Sequence, residues 1–203
     1  MERGRFGGVL ATAVSAKMKW ARILGTNLHF NLFNVAAPVN GVLWGRSGIL
    51  NVILADLILL ALKPKFGLLR ILLFLPMILA TALYAELFRG NRKPLALAPI
   101  LMVLFWLNDA GREAWPYALL WIAIVFPLFI DNLFTRALAT QFFDHALGSL
   151  IFLYFAEIPA EIWLKAIPLA IMERLLMASG LAIATVVALG IAEAKVEEQA
   201  VSV

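Results

Sequence analysis

The chain has 203 residues, 63% hydrophobic and 15% charged, with a formal net charge of +4 and a mean hydropathy of +0.91. Soluble domains run nearer about 45–50% apolar and about 25% charged, and a core of this size cannot hide the excess from water. An ordinary soluble domain is therefore excluded, and the absence of cysteine excludes disulfides, thiolate metal sites and cysteine nucleophiles. The expected fold class is all-α: a polytopic membrane protein, a bundle of about six transmembrane helices.

Residues 1–46 come first as an expected interfacial or cytoplasmic segment. They carry Arg3, Arg5, Lys17, Lys19 and Arg22, then an Asn-rich stretch from Asn27 to Asn40. An amphipathic helix near residues 9–28 would set Trp20, Ile23 and Leu24 in lipid while the lysines reach headgroups. The alternative for Phe6 to Ala16, a signal peptide, lacks a clean small-residue cleavage site. Six apolar stretches follow, in a transmembrane domain over 47–192: Ser47–Leu62, Leu68–Phe88, Leu95–Leu107, Trp115–Phe134, Ala137–Phe155 and about Ile162–Ile191. A span takes roughly 20 residues, so the first and third are short, and the last is long enough to tilt or to kink at Pro168. The separators, such as KPKFG (63–67) and EIPAE (157–161), are turn chemistry. Residues 193–203 form a polar tail, expected in the cytoplasm.

Charge sets the expected orientation. With six spans and both termini inside, the cytoplasmic side holds Arg3, Arg5, Lys17, Lys19, Arg22, Arg46, Arg89, Arg92, Lys93, Arg136 and Lys195, against Lys63, Lys65, Arg112 and Lys165 outside. The positive-inside rule favours this arrangement in a cell membrane. A seventh span over 23–45 would move the first five basic residues outside and reverse the bias.

Charges within hydrocarbon need a partner or a function. The candidates are Asp56, Asp131, Asp144, His145, Glu173 and Arg174. At about 1.5 Å per residue, Asp144, Arg174 and Asp56 lie about 10–14 Å from the cytoplasmic face. An Asp144–Arg174 pair joined by Asp56 is therefore expected, either as an ion pair pinning two helices or as the polar floor of a ligand cavity or proton path. Gln141, Asp144, His145 and Gly148 share one face of the fifth span. Asn108, Asp109, Glu113, Trp115, Glu161 and Trp163 lie in outer loops, either as a solvated aromatic rim or as a lid that binds a small molecule. On the last span, Gly180, Ala184 and Ala188 repeat at four-residue spacing, for internal packing or for docking a partner subunit.

No P-loop, HExxH or metal-binding acidic motif is present, and Gly148-Ser149 is not set in a nucleophile elbow. The only histidines are His29 and His145, and His29 falls outside the spans, so no haem ligand pair is expected. Cofactors, metal and nucleic-acid partners are not expected, and neither is an enzyme.

Two stretches carry a family resemblance: ILADLILLALKPKFGLL (53–69), an Asp-bearing helix with a Pro-x-x-Gly turn, and the closing pair of helices from Asp144 through Glu173-Arg174. They resemble the substrate-binding S components of energy-coupling-factor (ECF) transporters over about a third of the chain. The resemblance implies a six-helix subunit that captures a vitamin or similar micronutrient from outside and docks on a shared membrane subunit with paired ATPases. The chain departs from that family in its 46-residue N-terminal segment and in having no four-residue repeat across Ala11, Ala13 and Ala16. A small-molecule binding subunit of a membrane transporter is accordingly the expected function. The alternatives are a non-catalytic accessory or scaffold subunit of a larger, respiratory-type membrane complex and, last, a membrane enzyme acting on lipid.

Overall fold

The computed structural model describes residues 2–16, 19–22, 29–62 and 67–201, with side-chain surroundings for 8–16, 32–62, 67–69 and 71–194. It is dominated by helix. A helix α1 (Glu2–Ser15) leads into a small antiparallel hairpin of β1 (Lys19–Arg22) and β2 (His29–Asn31), paired Ala21 to Phe30 and Arg22 to His29. The amphipathic helix expected near 9–28 is thus a helix that ends at Ser15 followed by a hairpin; residues 23–28 lie outside the described residues.

Next comes α2 (Phe33–Trp44), which the sequence alone placed in an interfacial segment. Here it lies inside the bundle, packed on α3 (Arg46–Ala61), on α5 (Leu75–Phe88) and on α10 (Ala160–Val201). Three small features let it in. Gly45, with φ +58°, joins α2 to α3 as a single left-handed residue. Gly48 and Gly41 then let backbone pass backbone, because a Cβ at either would lie 1.9 Å from the Asn40 carbonyl oxygen or 2.6 Å from that of Thr81. Polar side chains complete the join: Asn40 donates to Thr12 Oγ1 (2.9 Å) and accepts from Asn51 Nδ2 (3.2 Å), tying α1, α2 and α3 together.

The second apolar stretch is a broken helix. A short α4 (Leu68–Leu72) stops, Leu73 and Phe74 turn, and α5 restarts with Pro76 in its first turn. Pro lacks an N–H, so it fits that position at no cost in hydrogen bonding. After a 3-10 turn at Lys93–Ala96 come α6 (Leu97–Trp106), α7 (Asp109–Glu113) and α8 (Trp115–Ala118), which continues as a 3-10 helix over Leu119–Leu128. At about 2.0 Å per residue in 3-10 form, α8 and its continuation cover about 26 Å with few residues. The long α9 (Leu133–Phe155) starts on a capping box in which Asn132 and Thr135 satisfy each other's backbone. It packs against α5, α10 and the Leu119–Leu128 segment.

The main core is aromatic and aliphatic, centred on Tyr84, Phe105, Trp121, Ile124 and Leu181. Polar groups are buried beside it, including Thr12, Asn40, Asn51, Gln141 and Arg174. Meanwhile large apolar side chains face outward: Leu50, Leu54 and Leu57 on α3, Leu97, Ile100 and Val103 on α6, and Ile183, Val186 and Val187 on α10. Among the described residues one helix, within Ala160–Ala194, is long and apolar enough to cross a membrane. Pro168 sits inside it without interrupting it.

Candidate functional site

A cavity of about 730 Å³ opens inside the bundle, within the range of small-molecule sites. Its floor is polar. Arg174 on α10 donates to Asp144 on α9 (3.4 Å) and to its neighbour Glu173 (2.6 Å). One turn along α9, the Tyr117 hydroxyl shares hydrogen bonds with His145 Nε2 (2.8 Å) and Ser149 Oγ (3.2 Å). Its upper walls are aromatic: Phe33 from α2, Phe74 from the α4–α5 break, Phe152 from α9 and Trp163 from α10. The helix break therefore has a place in the site, since Leu73, Phe74, Pro76 and Met77 all line the cavity. Leu62, at the end of α3, and Ile158, in the loop before α10, mark the end of the bundle toward which it extends.

Two features hold this geometry. Tyr117 and Trp163 are 5.0 Å apart between ring centroids and both pack on Phe105, at 5.5 Å each. Trp163 Nε1 also donates to the Ile158 carbonyl (3.2 Å). Such aromatic contacts restrict both side chains before any ligand arrives. The second feature begins with Pro38 in α2. Having no N–H, Pro38 leaves the carbonyl of Asn34, four residues earlier, without its helical donor. Gln141 Nε2 on α9 fills that role (2.9 Å), fixing α2 to α9 beside the cavity.

The expected polar residues divide cleanly. Asp56, Asp144, His145, Arg174 and Trp163 line the cavity, and the Asp144–Arg174 pair forms. Asp56 does not join that pair: among the described residues neither carboxylate oxygen has a hydrogen-bond partner. Gln141 is buried as an inter-helix tie. Most of the outer-loop set falls elsewhere. Asn108 caps α7 by accepting from the Ala110 and Gly111 amides. Asp109 pairs with Arg112, Glu113 is exposed, Glu161 meets Lys165 at 3.6 Å on the exposed surface, and Trp115 is 55% exposed. Local caps and solvated pairs absorb these residues, so none of them reaches the cavity. The small-residue stripe of α10 is likewise used internally: Gly180 faces Val35 of α2, and Ala184 packs on Val35 and Met177.

Sequence reasoning missed Tyr117, Ser149, Phe33, Phe74 and Phe152 as cavity residues. Ser149 stands four residues from His145 and eight from Gln141, on the polar face already recognised on α9, so its signal was present. Tyr117 could have been noticed as a polar tip inside an apolar stretch.

Asp131, expected inside a span, sits instead in the turn before α9 and is held by Arg136 (2.6 and 2.8 Å) and by Arg92. The Arg136 hydrogen bonds, with those of Arg92, keep its carboxyl well below the usual carboxylate range. With Arg46 and Arg89 around Glu86, this end of the bundle is a basic rim opposite the cavity mouth.

No family model matches the chain, and no solved structure does. Among curated proteins the chain is similar to an uncharacterized protein of Methanocaldococcus jannaschii, 31% identical over 176 residues, covering 77% of this chain. The chain spans 59% of that relative's length.

Proposed function

We propose that this chain is a multi-pass membrane protein that binds a small molecule in an outward-facing cavity, as the substrate-binding subunit of an ECF-type transporter. The observation that carries the reading is the cavity itself: a polar, hydrogen-bonded floor under aromatic walls, in a bundle whose exterior is Leu, Ile and Val. Outward-facing apolar side chains on the longer helices, with Asn, Gln and Arg inside, invert the arrangement that water imposes. In lipid the same pattern is favourable, because hydrocarbon solvates the exterior and helices satisfy their own backbones. A 3-10 segment and a broken helix suit that setting, since one lengthens a short apolar stretch and the other lines a cavity.

The basic rim of Arg46, Arg89, Arg92, Lys93 and Arg136 supports a cytoplasmic assignment for that end. The cavity mouth between Leu62 and Ile158 then faces outside. With 42 residues, α10 is about 63 Å long, twice the hydrocarbon core, so a large part of it extends beyond the core.

Purification from the native membrane in gentle detergent, followed by mass spectrometry of co-purifying proteins, tests the transporter assignment. Stoichiometric ATPases with a second membrane subunit are expected. Stoichiometric redox or other large-complex subunits without ATPases would instead make this an accessory subunit.

A further inference from the structure

Among the described residues the cavity carries one unmatched carboxylate. Its formally charged lining residues there are Asp56, Asp144 and Arg174. Arg174 sets one positive charge against two carboxylates, Asp144 and Glu173, and although its Nε–H is unpartnered among the described residues it makes no bond to Asp56. Asp56 is only 3% exposed, and both its oxygens are unpartnered among the described residues. A buried carboxylate without a partner is costly, and α3 offers no structural return for it: the helix is held by Val52, Ala55 and the Asn40–Asn51 join. An anionic ligand would meet carboxylates on two walls and a guanidinium whose single charge already faces two of them. A cationic ligand would meet Asp56 together with the rings of Phe33, Phe74 and Trp163, and aromatic rings also attract cations.

We infer that the cavity selects an organic cation, an amine-bearing small molecule whose ammonium is bound by Asp56 and whose flat or apolar body lies against the aromatic walls. This rests on the small-molecule binding reading above and specifies the ligand's chemistry.

The test uses the full chain purified in detergent and three indoles of one size: tryptamine (ammonium), tryptophol (neutral) and indole-3-acetate (carboxylate). Tryptamine should raise the melting temperature by about 3 °C or more at saturating concentration, and the other two by clearly less. Asp56→Asn should erase the preference for tryptamine. Without any probe, the same variant should melt at or above the parent temperature, because it removes an unpaired buried charge. A carboxylate bonded within the fold would show the opposite sign, and Asp56→Glu should retain the preference for tryptamine.

A larger shift with indole-3-acetate, an unchanged tryptamine preference in Asp56→Asn, or a lower melting temperature of that variant would each overturn the inference. Equal shifts with all three probes, independent of Asp56, would overturn the cation assignment and leave small-molecule binding standing. No shift with any probe would overturn both.

Discussion

Replacing Arg174 with alanine should lower the melting temperature of the free protein by on the order of 10 °C. Arg174 is 5% exposed and holds two carboxylates, Asp144 and Glu173, on adjacent helices. Removing one partner of a buried ion pair costs about 3–5 kcal/mol, because the remaining charge stays buried without compensation. For a chain of this length that corresponds to about 6–20 °C. The six tryptophans give an intrinsic fluorescence readout in detergent. Arg174→Lys should fall between parent and alanine variant, since a point charge cannot serve two carboxylates as a planar fork does. Adding Asp144→Asn to Arg174→Ala should recover part of the loss, a coupling that a double-mutant cycle measures directly. Parent-like melting of Arg174→Ala would remove the pair from the account of stability.

An equally large effect is expected from adding one methyl group at Gly48. Its Cβ would stand 1.9 Å from the Asn40 carbonyl oxygen and 2.4 Å from the Asn40 carbonyl carbon. Both are backbone atoms, so no rotamer change relieves the overlap and α2 must move off α3. That movement also separates Asn40 from Asn51 and from Thr12. Overpacking costs about 1–3 kcal/mol where side chains can shift, and more where they cannot. Gly48→Ala should therefore give little folded protein by size-exclusion chromatography. Gly148→Ala is the control, because its Cβ would meet nothing within 4 Å. Replacing a helical glycine there should leave stability unchanged or raise it by up to about 1 kcal/mol.

Helices with dense apolar runs were legible in the sequence, and those without them were not. The expected Ser47–Leu62 and Ala137–Phe155 stretches correspond closely to α3 (Arg46–Ala61) and α9 (Leu133–Phe155). The capping pair Asn132 and Thr135 carries α9 four residues further back than hydropathy indicates. The stretch Trp115–Phe134 is broken after Leu128, at Pro127 and the Asp131 turn, and its last two residues already belong to α9. Helix α2 was hidden because FNVAAPVNGVLW is small, Asn-rich and interrupted by proline. Its place in the bundle depends on partners distant in sequence: Thr81 and Gln141, which the chain brings alongside only after folding.

The site divides along the same line. Asp144 and Arg174 were legible as a pair because charge inside an apolar helix is expensive and depth along a helix can be counted. The isolation of Asp56 was not, since depth alone cannot tell which wall of a cavity a helix supplies. The outer-loop residues other than Trp163 misled for a related reason. Polar groups in a loop carry the same composition whether they bind a ligand or, as Asn108 does, cap a helix.

Because the chain has no cysteine, single cysteines give an unambiguous accessibility readout for the central claim. Glu161→Cys, Gly148→Cys and Lys93→Cys would be treated in intact cells with a membrane-impermeant quaternary-ammonium methanethiosulfonate. The outward-facing cavity in a multi-pass bundle predicts modification at 161 and 148, and at 93 only after the cells are opened. Modification of 93 in intact cells as readily as 161, or no modification of 148 from either side, would contradict it.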